Sequence, residues 1–434
     1  MTEIAVGAPV PAQRAEKVAR SFDGALLLSG ATVVSGVLAY AYHVLAARAL
    51  GPEAYGLVAV LWAALFLLVV VLYRPLEQTT SRALADRLSR GLDGRSVMRA
   101  VALIYVGLAV VILVAAVLAW DVGRDRLFLG DTFFMAALVA GLLAYGVAYV
   151  LRGVCGGLGW FRGYAVLLVS DGAVRVAVCA PIVVVASRDL AAAAAVAAAV
   201  GSVALPLLVG RRALAPVLAG QQAERFRCRS ALAFAWPAAI VAAADQVLVN
   251  GGPVLVMLGG GERASTAAAV VFAATMLVRV PVFVFQGLAT SLLPNLTRMQ
   301  AVDERQRFRR ALRRASAALA ACAVVIVVVA ASVGPEAMEL VYGPDYAVGR
   351  LELALLGVGV GFYLATATFS QGLLALDAGR AAAIGWMASA LGFLAAYVAI
   401  PGEPLFRVAA AFAIGTALAV PLLGLALVRR GRLG

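Results

Sequence analysis

The chain has 434 residues, is 64% hydrophobic with a mean hydropathy of +0.97, and carries a net charge of +13. That composition excludes an ordinary soluble domain. It also excludes a nucleic-acid binder, because the basic residues stand at the ends of apolar stretches rather than on one folded face.

The first 20 residues are polar, with no small-residue cleavage site after a short apolar core, and read as a cytoplasmic tail. Apolar stretches of bilayer-crossing length then follow at about 24–48, 55–73, 97–120, 132–151, 163–186, 190–210, 231–258, 264–293, 315–333, 350–374, 381–400 and 405–428. Twelve such spans leave room only for short loops, so no appended catalytic domain fits. Of the 36 Lys and Arg residues, 27 lie in the tail, the even-to-odd loops and the C-terminus, against 7 on the other side. Cytoplasmic loops collect basic residues, so both termini are expected in the cytoplasm, with the protein in the cytoplasmic membrane. The excess of Arg over Lys and the abundance of Ala look like codon bias. Cys155, Cys179, Cys228 and Cys322 are scattered without ligand spacing, so neither a metal nor a cofactor is expected.

Three signatures recur six spans apart. Gln78-Thr79-Thr80-Ser81, followed by Arg87, is matched by Gln286 and Thr290-Ser291, followed by Arg298. Leu127-Phe128-Leu129-Gly130-Asp131 is matched by Leu340-Val341-Tyr342-Gly343-Pro344-Asp345. A glycine-rich exit from Gly153 to Arg162 is matched by one from Gly372 to Arg380. The expected fold is therefore an all-α integral membrane protein of about twelve helices. They would form two pseudo-symmetric six-helix halves around a central cavity, which is transporter architecture. The expected division is a tail over 1–22, a first half over 23–212, a cytoplasmic linker over 213–230 and a second half over 231–434. Residues 76–90 contain no Gly or Pro and should carry the second span past the bilayer, while Pro75 and Pro281 should bend their helices.

Two arginines break the topological pattern by falling inside spans, where a charge needs a partner or a function. Arg279 lies two residues before Pro281. It is read as an anion clamp in a wet cavity, its fork matching phosphate oxygens, or as half of a pair with Asp245. Arg175 stands four residues after Asp171, a spacing that permits a pair within one helix, and is the second cavity candidate. Arg74, at the inner end of the second span, snorkels to the interface or faces the cavity beside Pro75. Asp245 carries a coupling proton or cation, or neutralises an arginine; Asp171 is the other coupling candidate. Gln246 and Asn250 share a helix face, and Asn250 and Gln286 complete the substrate-binding candidates. His43 reads as a packing residue near the outer end of the first span. Gly357, Gly359 and Gly361 fall in mid-span with no preceding strand and read as helix packing rather than a nucleotide loop. The run Ala191–Ala199 reads likewise.

Several segments carry a resemblance: Ala49-Leu50-Gly51-Pro52-Glu53-Ala54-Tyr55-Gly56, Leu151-Arg152-Gly153 with Gly159-Trp160-Phe161-Arg162, Leu277-Val278-Arg279-Val280-Pro281 with Leu293-Pro294, and Val333-Gly334-Pro335-Glu336 with Leu340 to Asp345. Through them the chain resembles the polysaccharide transporter (Wzx-type flippase) family of the multidrug/oligosaccharidyl-lipid/polysaccharide exporter superfamily. The resemblance implies a transporter that moves polyprenyl-diphosphate-linked saccharide across the bilayer by alternating access, and a monomer is expected. It also implies a cavity arginine at the position of Arg279, as in the related lipid II flippases; those usually have fourteen helices, against twelve here. An ion-coupled multidrug antiporter of the same superfamily is the alternative, resting on Asp245 and Asp171. A membrane polymerase or glycosyltransferase fits less well, because the longest outer loop is only about 16 residues and lacks His.

Overall fold

The computed structural model describes residues 10–210, 214, 215, 217, 228–280, 305–376 and 378–433. Thirteen α-helices and one 3₁₀ turn account for the described elements, and no strand occurs among them. They are α1 (Val10–Ser89), α2 (Arg95–Leu118), α3 (Trp120–Phe128), α4 (Thr132–Gly157), α5 (Phe161–Cys179), α6 (Ile182–Val185), α7 (Arg188–Gly210), α8 (Cys228–Gly259), α9 (Ala264–Val278), α10 (Arg305–Tyr342), α11 (Arg350–Ala375), α12 (Gly379–Ala399) and α13 (Pro404–Leu433). Ten described helices are long and apolar enough to cross a bilayer. The apolar part of the first is 64 residues long, about twice the roughly 20–25 residues that one crossing needs. It supplies two spans because the backbone breaks at Gly51, with φ 70° and ψ 170°. Only glycine adopts that conformation without steric cost, and Pro52 then starts the second leg. With the two legs of α1 counted apart, eleven spans stand among the described residues; the twelfth, expected over 264–293, begins in the apolar α9 and continues outside the described residues.

The second leg of α1 stays helical to Ser89, and Gly51 is its sole non-helical residue. Pro75 is thus absorbed without a break. Arg87 then donates to the Asp93 carbonyl at 2.8 Å and fixes the turn into α2. In α2 only Val97, Val101 and Ile112 are buried, so the helix shows most of its surface to lipid. The sequence places a loop over 121–131, but its first part forms α3, and Asp131 caps α4 by accepting from the Phe133 and Phe134 amides.

Small residues set the packing. The alanines at 191, 192, 194, 195, 198 and 199 in α7 are at most 2% exposed, which lets α5 and α4 approach closely. A Cβ on Gly357, Gly359 or Gly361 would crowd Val327, Phe412 or Ala323, so they are packing glycines. The glycine-rich stretch after the fourth span is not all turn: α4 runs on to Gly157, and Gly153 and Gly157 press its backbone onto α1 at Glu77 and Ser81. The helices from α1 to α7 pack on one another, as do those from α8 to α13, and α1 meets α8 and α9 between the two groups.

Candidate functional site

Near the junction of the two legs of α1, the two groups are joined by residues in and beside the motif segments. Arg48 donates through Nε to the Val341 carbonyl at 2.9 Å and through Nη2 to that of Leu340. The Ser265 hydroxyl donates to the Glu53 carbonyl at 2.6 Å. A Cβ on Gly56 would overlap the Ser265 backbone, so only glycine permits this approach. Tyr55, fully buried, stands 6.3 Å from the Tyr346 ring and 6.4 Å from Phe272. His43 is also fully buried. Its Nδ1 shares a hydrogen bond with the Tyr55 hydroxyl at 3.0 Å, and its ring lies 4.7 Å from Phe272. His43 is therefore a packing residue, but of the joint between the groups rather than of one helix.

Deeper in the first group, Asp171 and Arg175 of α5 form the expected i, i+4 pair at 2.8 Å, with side chains 7% and 1% exposed. Tyr145 of α4 donates to Asp171 at 2.8 Å and accepts from Arg175 at 2.6 Å. The guanidinium stacks 4.5 Å above the Trp62 ring, with Tyr42 and Phe66 each at 5.8 Å. Pairing, hydrogen bonding and cation–π contact together meet the cost of burying this charge. Arg175 is thus locked into packing and presents no free face in this conformation.

A second polar cluster lies toward the far end of the second leg of α1. Arg74 is exposed and Glu77, one turn later on α1, is buried. The Arg74 charge acts on Glu77 and Arg152 and on Asp245 of the other group. Tyr164 of α5 donates to Glu77 Oε1. Arg152, which the sequence assigns to a cytoplasmic loop, belongs to α4 and lies 4.6 Å over the Tyr149 ring.

In the second group α9 ends at Val278, and Arg279 is its C-cap. The interruption falls where a following proline disfavours helical backbone. The half-buried Arg279 donates to the Val249 carbonyl of α8 at 3.1 Å. It does not form the ion pair with Asp245 that the sequence offers. Asp245 is held by the Tyr363 hydroxyl at 2.6 Å and by Gln246 at 3.0 Å, and Asn250 donates onward to Gln246 at 2.7 Å. Asn250 is 6% exposed and supports this chain from behind. Gln286, Pro281 and Pro294 lie outside the described residues.

The structure thus brings Arg74, Arg279 and Asp245 into one electrostatic neighbourhood and sets Asp171 and Arg175 apart in the packed core. Glu77, Arg152, Tyr145, Tyr164 and Tyr363 are further members that the sequence reading does not single out as site residues. Arg152 is hidden by its place beside glycines that look like a loop. Glu77 is hidden by its place in a polar helical extension.

A family model described as "Polysaccharide biosynthesis protein" matches residues 21–300. An uncharacterized protein of Mycobacterium bovis is 28% identical over 377 residues, covering 83% of this chain and 82% of that protein. Among solved structures, the inward-facing conformation of a multidrug resistance MATE family transporter of the MOP superfamily superposes with a TM-score of 0.71. The identity is 17%, over 94% of this chain and 98% of that one. An outward-facing conformation of a MATE family transporter gives a TM-score of 0.66 at 16% identity, over 94% and 96%.

Proposed function

We propose that this chain, which belongs to the family of polysaccharide biosynthesis proteins, carries a lipid-linked, polyprenyl-diphosphate-bearing oligosaccharide across the cytoplasmic membrane by alternating access. The observation that carries the reading is the state of Arg279. It is a guanidinium at a helix interruption inside an apolar span, bonded among the described residues to one backbone carbonyl and to no carboxylate. A group so placed keeps most of its fork for an anion, and a diphosphate fits it. Asp245, held nearby by Tyr363 and Gln246, leaves the arginine unoccupied. The saccharide and diphosphate would pass between the two helix groups while the lipid tail stays in the bilayer. Taken as the outer end, the joined end is the geometry that a carrier loading from the cytoplasm needs, with both termini on that side. The transporter acts as a monomer without cofactor.

The test is lipid analysis of cells that carry Arg279→Ala in place of the native chain. Export should stop, a lipid-linked saccharide should accumulate, and the variant should stay in the membrane at normal abundance. Normal export by this variant would overturn the clamp.

A second reading, an ion-coupled multidrug or cation antiporter, draws on the two buried carboxylates. Asp171 and Asp245 are each held by a tyrosine hydroxyl, as proton- or cation-binding groups would be. Dye efflux from proteoliposomes driven by an imposed proton or sodium gradient, and lost in Asp245→Asn, would favour it over the flippase. In the flippase itself these same two residues are the candidates for a coupling proton or cation.

A further inference from the structure

A cleft of about 960 Å³ opens where the two legs of α1 meet, and both helix groups build it. Its floor is the start of the second leg, around Glu53. One wall is the turn between α3 and α4, with Asp131 and Phe133, together with Arg188 at the start of α7. The other wall is the turn between α8 and α9, with Glu262 and Arg263. Neither Arg279 nor the Asp171–Arg175 pair lines it, so it is separate from the groups proposed to meet the diphosphate.

The first wall is built to stay in place. Asp131 accepts from the Phe133 and Phe134 amides through Oδ1, at 2.9 and 3.2 Å, and pairs with Arg188 through Oδ2 at 2.8 Å. Both carboxylate oxygens are thus used. The turn before it holds Leu129 at φ 52°, a left-handed conformation that is costly for a residue with a side chain. This fixed turn leaves the Phe133 ring exposed at the cleft. The remaining charges are uncommitted. Among the described residues no ion pair engages Glu53, Glu262 or Arg263, and all three are exposed.

The lining selects a chemistry. Three carboxylates, at 53, 131 and 262, against two guanidinium groups, at 188 and 263, leave a net charge of −1, which repels a diphosphate. Carboxylates only accept hydrogen bonds and guanidinium groups only donate them, whereas a hydroxyl does both. Both kinds set around one wide cleft therefore suit a ligand rich in hydroxyls. An exposed ring beside them suits the C–H face of a pyranose. The volume is too large for a lone ion and falls in the range of cavities that hold organic ligands.

We propose that this cleft binds a neutral oligosaccharide and that its occupancy favours the joined state of the two helix groups. The flippase reading supplies the source of the saccharide: the face is then the outer one, and the ligand is the released product. Because floor and walls come from both groups, the cleft has this shape only while they are joined, so a ligand that fits it stabilises that arrangement. Saccharide accumulating on that face would slow the next opening of the carrier. The rival account is a crevice between turns that holds only water.

The experiment titrates maltohexaose, the N-acetylglucosamine hexamer and inorganic pyrophosphate into the purified full-length protein in lipid nanodiscs, by calorimetry. At least one oligosaccharide should bind, and pyrophosphate should not displace it. Glu53→Gln and Glu262→Gln, both at exposed positions, should each weaken that binding at least about tenfold, as expected for a lost hydrogen bond to a charged group. Phe133→Ala should weaken it too, whereas Phe133→Tyr, which keeps the ring, should not. Arg48→Ala removes bonds between the groups without lining the cleft, so it should weaken binding only through the joined state. Oligosaccharide binding that is unchanged in Glu53→Gln, Glu262→Gln and Phe133→Ala would overturn the site, and binding unchanged in Arg48→Ala would overturn the coupling. A wild type that binds neither oligosaccharide would overturn the whole proposal, while the flippase reading keeps its own test in the lipid analysis of Arg279→Ala. Binding lost in the cleft variants, alongside normal export by Arg279→Ala, would keep the site and overturn the clamp.

Discussion

Arg175 and Arg279 give the same signal in the sequence, an arginine inside an apolar span, yet their surroundings are opposite. Arg175 has an acid four residues earlier on its own helix, a tyrosine on the neighbouring α4 and an indole face beneath it, and it is 1% exposed. Arg279 has none of these. Its helix stops, its one hydrogen bond goes to a carbonyl, and the nearest acid is engaged by others. The first arrangement uses up a charge to hold helices together. The second holds a charge ready. What separates them is whether a carboxylate stands one turn away on the same helix.

The largest effect should come from breaking the satisfied pair. Arg175→Ala leaves Asp171 buried without its counter-charge, a loss of about 3–5 kcal/mol for such pairs. The variant should show a much lower Tm in detergent and poor accumulation. The double variant Arg175→Met with Asp171→Leu should regain most of the stability, because an apolar replacement removes both desolvation costs. A single variant as stable as the wild type would show that Arg175 is not structural. Arg279→Ala, by contrast, should melt within about 1 kcal/mol of the wild type while transport is lost, because only one neutral hydrogen bond disappears.

The next effect tests the rule itself. Thr275 stands four residues before Arg279, and the Arg279 amide still bonds its carbonyl at 3.2 Å, so the helical spacing holds there. Thr275→Asp would give Arg279 the same-helix partner that Arg175 has. Transport should fall by at least about tenfold, as for a cation tied up by a charge-assisted bond, with Tm little changed. Transport at the wild-type rate, measured as lipid-linked saccharide reaching the outer leaflet, would refute the distinction drawn between the two arginines.

How legible this was depended on the range of the interaction. The spans and the Asp171–Arg175 pair follow from local spacing, because hydropathy and i, i+4 geometry are properties of one helix. The conformational break at Gly51 is local as well. The partners of Asp245, by contrast, come from α8 itself and from Tyr363, 118 residues away. Glu77 meets Tyr164 across 87 residues, and Arg48 meets Leu340 and Val341 across almost 300. No periodicity encodes these meetings. The motif segments carrying Gly51, Gly56 and Tyr342 are visible in the sequence, but that they close on each other is tertiary information. Arg152 was misassigned for a related reason: glycines beside it serve helix packing, and in one dimension packing glycines and turn glycines look alike.

The smallest effect concerns how Arg279 is kept available. The Tyr363 hydroxyl donates to Asp245 at 2.6 Å, which holds the carboxylate on α8 and away from the arginine. Tyr363→Phe removes that one bond and nothing of the ring, which still packs 5.6 Å from Trp386. Stability should drop by only about 1 kcal/mol, the usual net worth of a hydrogen bond. The functional consequence should exceed the structural one. A released Asp245 is free to turn toward Arg279 and compete with an anionic substrate, so transport should slow a few-fold, with the loss appearing as weaker substrate affinity rather than a lower maximal rate. Adding Asp245→Asn to Tyr363→Phe should then restore affinity, because the competitor is gone. If the double variant binds no better than Tyr363→Phe alone, the tyrosine is not restraining Asp245, and the openness of Arg279 has another cause.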